Sequence, residues 1–464
     1  MTHLLPPEDE FLSMASSQAF WLANRRVQSW RDDYTVRAIE FLTSVMDSST
    51  WSRRVQAVKD KFEAEKHDWR QGDFTTRFAP RDLIDWYIFQ ANAYAKPEER
   101  HDWFEPEAFR ITPIFHRIGE LVPQLEQIDG VMDRVKAMMT TGQVKADDAL
   151  FELLVAGAYK TRGWSDVRFH PESPGTKKSH DLFVGTGKNQ WAVECKRINR
   201  SGAGYEAREY KDAQRLAAPV HELCSARERS LVVGVGYEVE LSKVPDDYLV
   251  EKAHAFLREP SSFQWDDGIS NGFVQDIDLR ATRAVLESDD VFFGSSRMVE
   301  LLLGDHTPDA DYSVAAQWDP APNRPLFATA MNQASVVCWM SLSKQAQLGK
   351  ARHFKSVVAD ACEQIPEDCP AVVHVGYESF GGNAVDDVRH MLNHREMLTF
   401  DPKGKQLRWV YGNYMRPEHT NSSNESQAMS ETTATYLIGE HSAQPPLPGH
   451  LLLQDDNGTP GAHW

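Results

Sequence analysis

The stretch His180-Asp181-Leu182-Phe183-Val184, a six-residue break, then Trp191-Ala192-Val193-Glu194-Cys195-Lys196 decides the reading of this chain. Both runs have strand character, and Gly185-Thr186-Gly187-Lys188-Asn189-Gln190 supplies a turn between them. Side chains alternate along a strand, so Glu194 and Lys196 project together while Val193 and Cys195 face the other way. With Val184 opposite Trp191, counting back along both strands sets Asp181 opposite Glu194. Like charges paired directly on a sheet repel, and a divalent cation with oxygen ligands converts that repulsion into binding. The hairpin therefore predicts a metal cradle.

Outward from the hairpin, the pattern predicts a helix from about Ala146 to Lys160, with Asp147 or Asp148 as N-cap, and a break at Gly163. A short strand at Asp166–His170 and a loop at Pro171–Ser179 lead into the hairpin. A helix over Tyr205–Arg229 and a buried strand over Leu231–Tyr237 follow it. Strands interleaved with helices predict an α/β core with a mixed sheet. Within the first helix, Glu152 is bordered at helical spacing by Asp148, Ala149, Val155, Ala156 and Tyr159, which turns it toward the protein. Most helical glutamates are solvated, but this one lies just upstream of the hairpin.

Glu152 on a helix, Asp181 on a strand and Glu194-Cys195-Lys196 on the next resemble the PD-(D/E)XK nuclease superfamily, the restriction-endonuclease-like fold. The resemblance covers about Ala146 to Glu238, a fifth of the chain. It implies that Asp181 and Glu194 bind Mg²⁺, with Mn²⁺ as a substitute, that Lys196 positions or activates the attacking water, and that Glu152 is an accessory acid. His180 stands where the name-giving proline would be, a position many members leave without proline. The chemistry is coherent by itself. Phosphodiester hydrolysis needs a nucleophilic hydroxide near neutral pH and a counter-charge for the transition state, and carboxylate-held Mg²⁺ with a nearby lysine supplies both. Cys195, on the opposite strand face, reads as a packed thiol.

The chain has 464 residues and a formal net charge of −18, which argues against a protein that coats nucleic acid with its whole surface. Residues 151–230 differ: they hold 14 Lys/Arg against 10 Asp/Glu, leaving 36 against 58 for the rest. On the helix after the hairpin, Arg208, Lys211 and Arg215 fall along one face, with Tyr210 and Gln214 beside them. This row reads either as a phosphate holder or as a solvated face. Lys177, Lys178, Arg197 and Arg200 would complete a backbone-binding rim.

The length predicts two or three domains. Residues 1–140 carry helical periodicity, with Val36, Ile39, Phe41, Leu42 and Val45 as one stripe and Leu83, Ile84, Trp86, Tyr87 and Phe89 as another. Trp21, Trp30, Trp51, Trp69, Trp86 and Trp103 belong there and read as core. Residues 141–245 form the nuclease-like core, 246–323 a helical and loop insert, 324–417 a second α/β segment, and 418–464 a polar tail expected to be mobile, with one apolar patch, Leu447–Leu453, suited to docking on a partner or on the body of the protein.

The second segment repeats parts of the core in order. Leu182-Phe183, Asn189-Gln190, Val193, Cys195 and the run Val232–Glu238 have counterparts in Leu326-Phe327, Asn332-Gln333, Val336, Cys338 and Val372–Glu378. In that register Val337 and Trp339 replace Glu194 and Lys196, and Pro325 replaces Asp181. A degenerate copy and a chance likeness of buried strands both fit, and shared strand order is the test. A degenerate copy would mimic the other half of a dimer within one chain.

The five cysteines, Cys195, Cys224, Cys338, Cys362 and Cys369, include no C-x-x-C pair and read as reduced and buried. No apolar run is long enough to span a bilayer, and the opening Met1–Glu10 lacks the regions of a secretory signal, so no membrane association and a cytoplasmic location are expected. The expected partner is nucleic acid, with DNA favoured and a defence or restriction-type role by analogy alone. A homodimer or a protein partner stays open. Two other readings remain: an RNA-directed nuclease, and a catalytically silent nuclease-fold scaffold, which the acidic charge favours and the intact Asp181, Glu194 and Lys196 set disfavours.

Overall fold

The computed structural model describes the chain outside residues 1–30, 71–81, 104, 172–178, 199–203, 260–262, 305–309, 323, 379–381, 418–428 and 455–464. Among the described residues six α-helices precede the first strand: α1 (Asp33–Thr43), α2 (Ser48–Arg70), α3 (Leu83–Ala95), α4 (Glu105–Leu125), α5 (Val131–Thr140) and α6 (Ala146–Thr161). Their apolar stripes merge into one core, with Phe41, Leu42, Trp86, Phe89, Phe115, Leu121, Leu150 and Leu154 buried together. Each such side chain contributes about 1.5–3 kcal/mol when fully buried. Trp86 and Trp103 are buried and Trp51 packs against the core, whereas Trp21, Trp30 and the side chain of Trp69 lie outside the described residues.

The N-cap of α6 is Lys145 and makes no side-chain cap bond, so neither Asp147 nor Asp148 caps the helix as expected. Asp147 is drawn instead to Arg110 of α4 at 2.7 Å, because a buried guanidinium needs counter-charge more than the helix end needs a cap.

The chain continues through β1 (Val167–Phe169), β2 (Leu182–Val184), β3 (Trp191–Ile198), α7 (Tyr205–Ala226) and β4 (Leu231–Tyr237), close to the bounds read from the sequence. Next come α8 (Tyr248–Arg258), β5 (Phe263–Asp266), β6 (Ser270–Asp276), α9 (Arg280–Leu286), β7 (Val291–Phe292), α10 (Ser296–Leu303) and β8 (Asp311–Ala321). Residues 246–323 thus carry four strands and are not the helix-and-loop insert expected. The last elements are β9 (Arg324–Ser341), α11 (Lys344–Cys362), β10 (Ala371–Glu378), α12 (Gly382–Leu398), β11 (Leu407–Pro417) and β12 (Met429–Leu437).

These strands form two mixed sheets, so the protein is α/β as expected, although the strands are shared out differently. The first sheet runs β1-β2-β3-β10-β11-β12, and the second β5-β6-β4-β9-β7 with β8 also paired to β9. β4, expected in the sheet of the hairpin, belongs to the second sheet, and β10 takes the place beside β3. The exchange is reciprocal. The β3-α7-β4 unit leaves the first sheet for the second, and the β9-α11-β10 unit makes the return journey.

The pairing register is the same in both. Val193 faces Val372 in the first sheet and Val336 faces Val232 in the second, both in parallel ladders. Each strand receiving the crossover is followed outward by two more, β11-β12 or β6-β5, though β11 is parallel to β10 and β6 antiparallel to β4. The two segments therefore share strand order around β3 and β9. Parts of the sequence match fail. Leu326-Phe327 and Asn332-Gln333 lie on β9 itself, whereas Asn189-Gln190 lie in the turn before β3, and the strand in the place of β2 is β8, so Ser313, opposite Val337, occupies the position of Asp181 in place of Pro325.

The crossover helices pack on their destination sheets: Leu216, Val220 and Cys224 with Val233 and Val235, and Phe354, Val358 and Cys362 with Val373 and Val375. They touch through a polar patch in which Lys350 pairs with Glu209 at 2.7 Å and His353 is hydrogen-bonded to Glu206 at 2.8 Å. The approach needs small residues. A Cβ on Gly349 would lie 2.5 Å from the Tyr205 ring, and one on Gly204 would lie 2.3 Å from the His353 ring.

The described part of 418–464 is not a mobile tail. β12 pairs along its length with β11, and Leu447, His450 and Leu452 are buried. Glu431, buried on β12, accepts the amides of Leu452 at 2.9 Å and Leu453 at 2.8 Å, which ties the apolar patch to the sheet. Residues 418–428 and 455–464 of that expected tail lie outside the described residues. Among the described residues no helix is long and apolar enough to cross a membrane, and the five cysteines are free and buried.

Candidate active site

The hairpin closes in the register expected, with Val184 facing Trp191, Phe183 facing Ala192 and Leu182 facing Val193. One residue beyond the ladder, the amide of Asp181 donates to the Val193 carbonyl at 3.1 Å. The Asp181 Oδ2 accepts the amide of Cys195 at 2.7 Å. That pair of bonds holds the Asp181 carboxylate beside Glu194, as the alternation predicts.

Glu194 is 1% exposed. Its Oε1 is ion-paired with Nζ of Lys196, and its Oε2 is buried with no hydrogen-bond partner. Burial and the Asp181 charge push the Glu194 carboxyl up to about 8 against the pull of Lys196. An orphaned, desolvated carboxylate oxygen next to a second carboxylate is the donor chemistry of a hard cation. Burial alone would lower the Lys196 ammonium, but Glu194 and Asp181 more than compensate and hold it above its ordinary value. The lysine therefore keeps its charge at neutral pH.

Glu152, on α6, is 4% exposed, and both of its oxygens accept from the guanidinium of Arg134 on α5. Burial and the neighbouring Asp181 charge raise the Glu152 carboxyl, with Arg134 as the opposing counter-charge. Arg134 also lies 3.8 Å from Asp181. Asp148, one turn before Glu152, is raised by burial and by Asp147 and lies within the field of Lys196. The structure thus sets Asp181 beside Glu194 and Lys196 of the hairpin and also beside Glu152 and Arg134 of the helical layer, with Asp148 next to Glu152. Among the described residues no group of three or more His, Cys, Asp or Glu is arranged to hold a metal ion.

Cys195 points into the α6 side of the core, and burial with the nearby carboxylates pushes its thiol well up, which suits a packing role. The basic rim fares less well. Arg197, with a side chain only 2% exposed, pairs with Glu378 at 2.5 Å and lies over the Phe151 ring, because the end of β3 is covered by α6 and β10. It is an internal strut and not a phosphate contact. Arg215 donates to the carbonyls of Leu241 and Val244 and pairs with Asp246, which ties α7 to the turn after β4.

Arg208 and Lys211 are exposed on α7, a helix of the second sheet's layer, with Arg208 over the Tyr205 ring. Gln214 accepts from the Ser313 hydroxyl on that same side. Lys177, Lys178 and Arg200 lie outside the described residues. Sequence reasoning missed Arg134, whose only signal is a basic residue in an otherwise half-apolar helix.

Comparison with protein-family models, with curated proteins and with solved structures gives no match for this chain.

Proposed function

We propose that this protein is a metal-dependent nuclease of the restriction-endonuclease-like kind, hydrolysing phosphodiester bonds most readily in DNA. The observation that carries the reading is the buried, partnerless Oε2 of Glu194 beside the Asp181 carboxylate, with the Lys196 ammonium on the same strand face. Asp181 and Glu194 would hold Mg²⁺ or Mn²⁺. When bound, the ion lowers the pKa of water and offsets charge on the phosphate. Asp181 is oriented for this by the Cys195 amide, which fixes the carboxylate before any ligand arrives.

Lys196, held charged by its acidic neighbours, supplies a positive charge to the scissile phosphate as negative charge builds there. Its raised pKa makes it a charge stabiliser and a positioning group for water more than a proton acceptor. Glu152, engaged by Arg134, shapes the site from the helix side.

The test is cleavage of supercoiled plasmid in Mg²⁺ or Mn²⁺ by the wild-type protein and by Asp181→Ala. Metal-dependent cutting lost in the variant supports the reading. Cutting that persists in the variant contradicts it.

A further inference from the structure

We infer that Arg134 is a resident cation of this site, standing between Glu152 and Asp181 where a second divalent ion would otherwise lie, so that the site takes a single metal ion at Asp181 and Glu194. The inference rests on the metal-dependent reading above and adds the ion count and the role of Arg134.

Two observations converge. First, the guanidinium spends its planar fork on both oxygens of Glu152 and lies 3.8 Å from Asp181, spanning the helix carboxylate and the strand carboxylate as a bridging ion would. A guanidinium keeps its charge at any physiological pH and suits a carboxylate bidentately.

Second, the residue is built in. α5 starts at Gly130 in a left-handed conformation, with φ of 80°. The carbonyl of Asp129, just before it, accepts the amide of Phe169 on β1 at 2.9 Å. Val131, Val135 and Met138 bury the other side of α5 in the core. The Arg134 side chain is 19% exposed and that of Glu152 5%. A surface arginine that had merely folded over the acids would lack this anchoring.

The experiment is titration of the full chain with Mn²⁺ by calorimetry, with folding of each protein checked by circular dichroism. Wild type should bind one ion per chain, Arg134→Gln two, and Asp181→Asn none. Glu152→Gln should still bind one ion, with affinity within about threefold of wild type, since Glu152 serves the arginine and not the ion. Where Arg134→Gln does not fold, the double variant Glu152→Gln with Arg134→Gln removes the buried pair together and should retain one ion. Two ions in wild type, one ion in both wild type and Arg134→Gln, or loss of the ion in Glu152→Gln would each overturn the inference and leave the metal-dependent reading standing. No ion in any of these proteins would overturn that reading and the inference with it.

Discussion

The backbone amide of Cys195 donates to the Asp181 carboxylate at 2.7 Å, so the side chain of one strand is fixed by the main chain of the next. A charged acceptor on a backbone donor is among the stronger hydrogen bonds in a protein. Asp181→Asn keeps an acceptor at this place and Asp181→Ala does not. Denaturant unfolding without metal should therefore show Asp181→Ala about 1–3 kcal/mol less stable than wild type and Asp181→Asn within about 1 kcal/mol. Equal loss in both would remove the amide from the account of how the carboxylate is held.

Glu194 gives a pH signature. Its carboxyl is raised by burial and by Asp181 from an ordinary value of 4.5 to about 8 in the folded protein. Between those values the folded state binds more protons than the unfolded state, and stability must fall as pH rises through that window. Metal-free wild type should lose stability from pH 5 toward pH 8 more steeply than Glu194→Gln. Parallel stability curves for the two proteins would contradict the environment described for Glu194.

His116 on α4 pairs with Asp32, the N-cap of α1, at 2.9 Å and lies near Glu120. Burial would lower the imidazole, but these carboxylates raise it to about 9. Its contribution is complete below pH 6.5 and disappears as pH rises through 9, a loss on the order of 2 kcal/mol. His116→Gln should flatten the fall in melting temperature between pH 7 and pH 10, and an unchanged slope would show that the pair does not anchor α1.

The exchanged crossovers make the two sheets depend on each other. Residues 1–245 alone would leave β3 without β10 and β4 without β9, and residues 246–464 would suffer the converse loss. Neither fragment should fold when made separately, and the two should form a soluble complex when made together. Gly349→Val, which forces a side chain into the Tyr205 ring, should cost about 1–3 kcal/mol in the intact chain. Two folded fragments with native-like circular dichroism would refute the dependence.

The hairpin was legible because alternation, turn residues and the Asp181 to Glu194 register are all local. Helix α7 and strands β3 and β4 were legible for the same reason. Which strand lies beside β3 was not, since β4 and β10 carry nearly the same apolar pattern and the choice is made by crossover length and packing far along the chain. β12 hid in a polar composition. Thr433 and Glu431 are buried there, satisfied by Asn413 and by the amides of Leu452 and Leu453. Arg134 and Arg197 could not be told from solvated bases by sequence, because only tertiary contact supplies Glu152 and Glu378.

The most direct measurement is a cleavage time course on end-labelled single-stranded DNA, double-stranded DNA and RNA of one sequence, in Mg²⁺, in Mn²⁺ and in chelator. Wild type should be compared with Glu194→Gln and Lys196→Met. The expected result is metal-dependent cutting by wild type, strongest on DNA, and at least about a hundredfold loss in each variant, as follows when a group that stabilises transition-state charge is removed. No cutting of any substrate with either metal, or cutting that survives both substitutions, would contradict it.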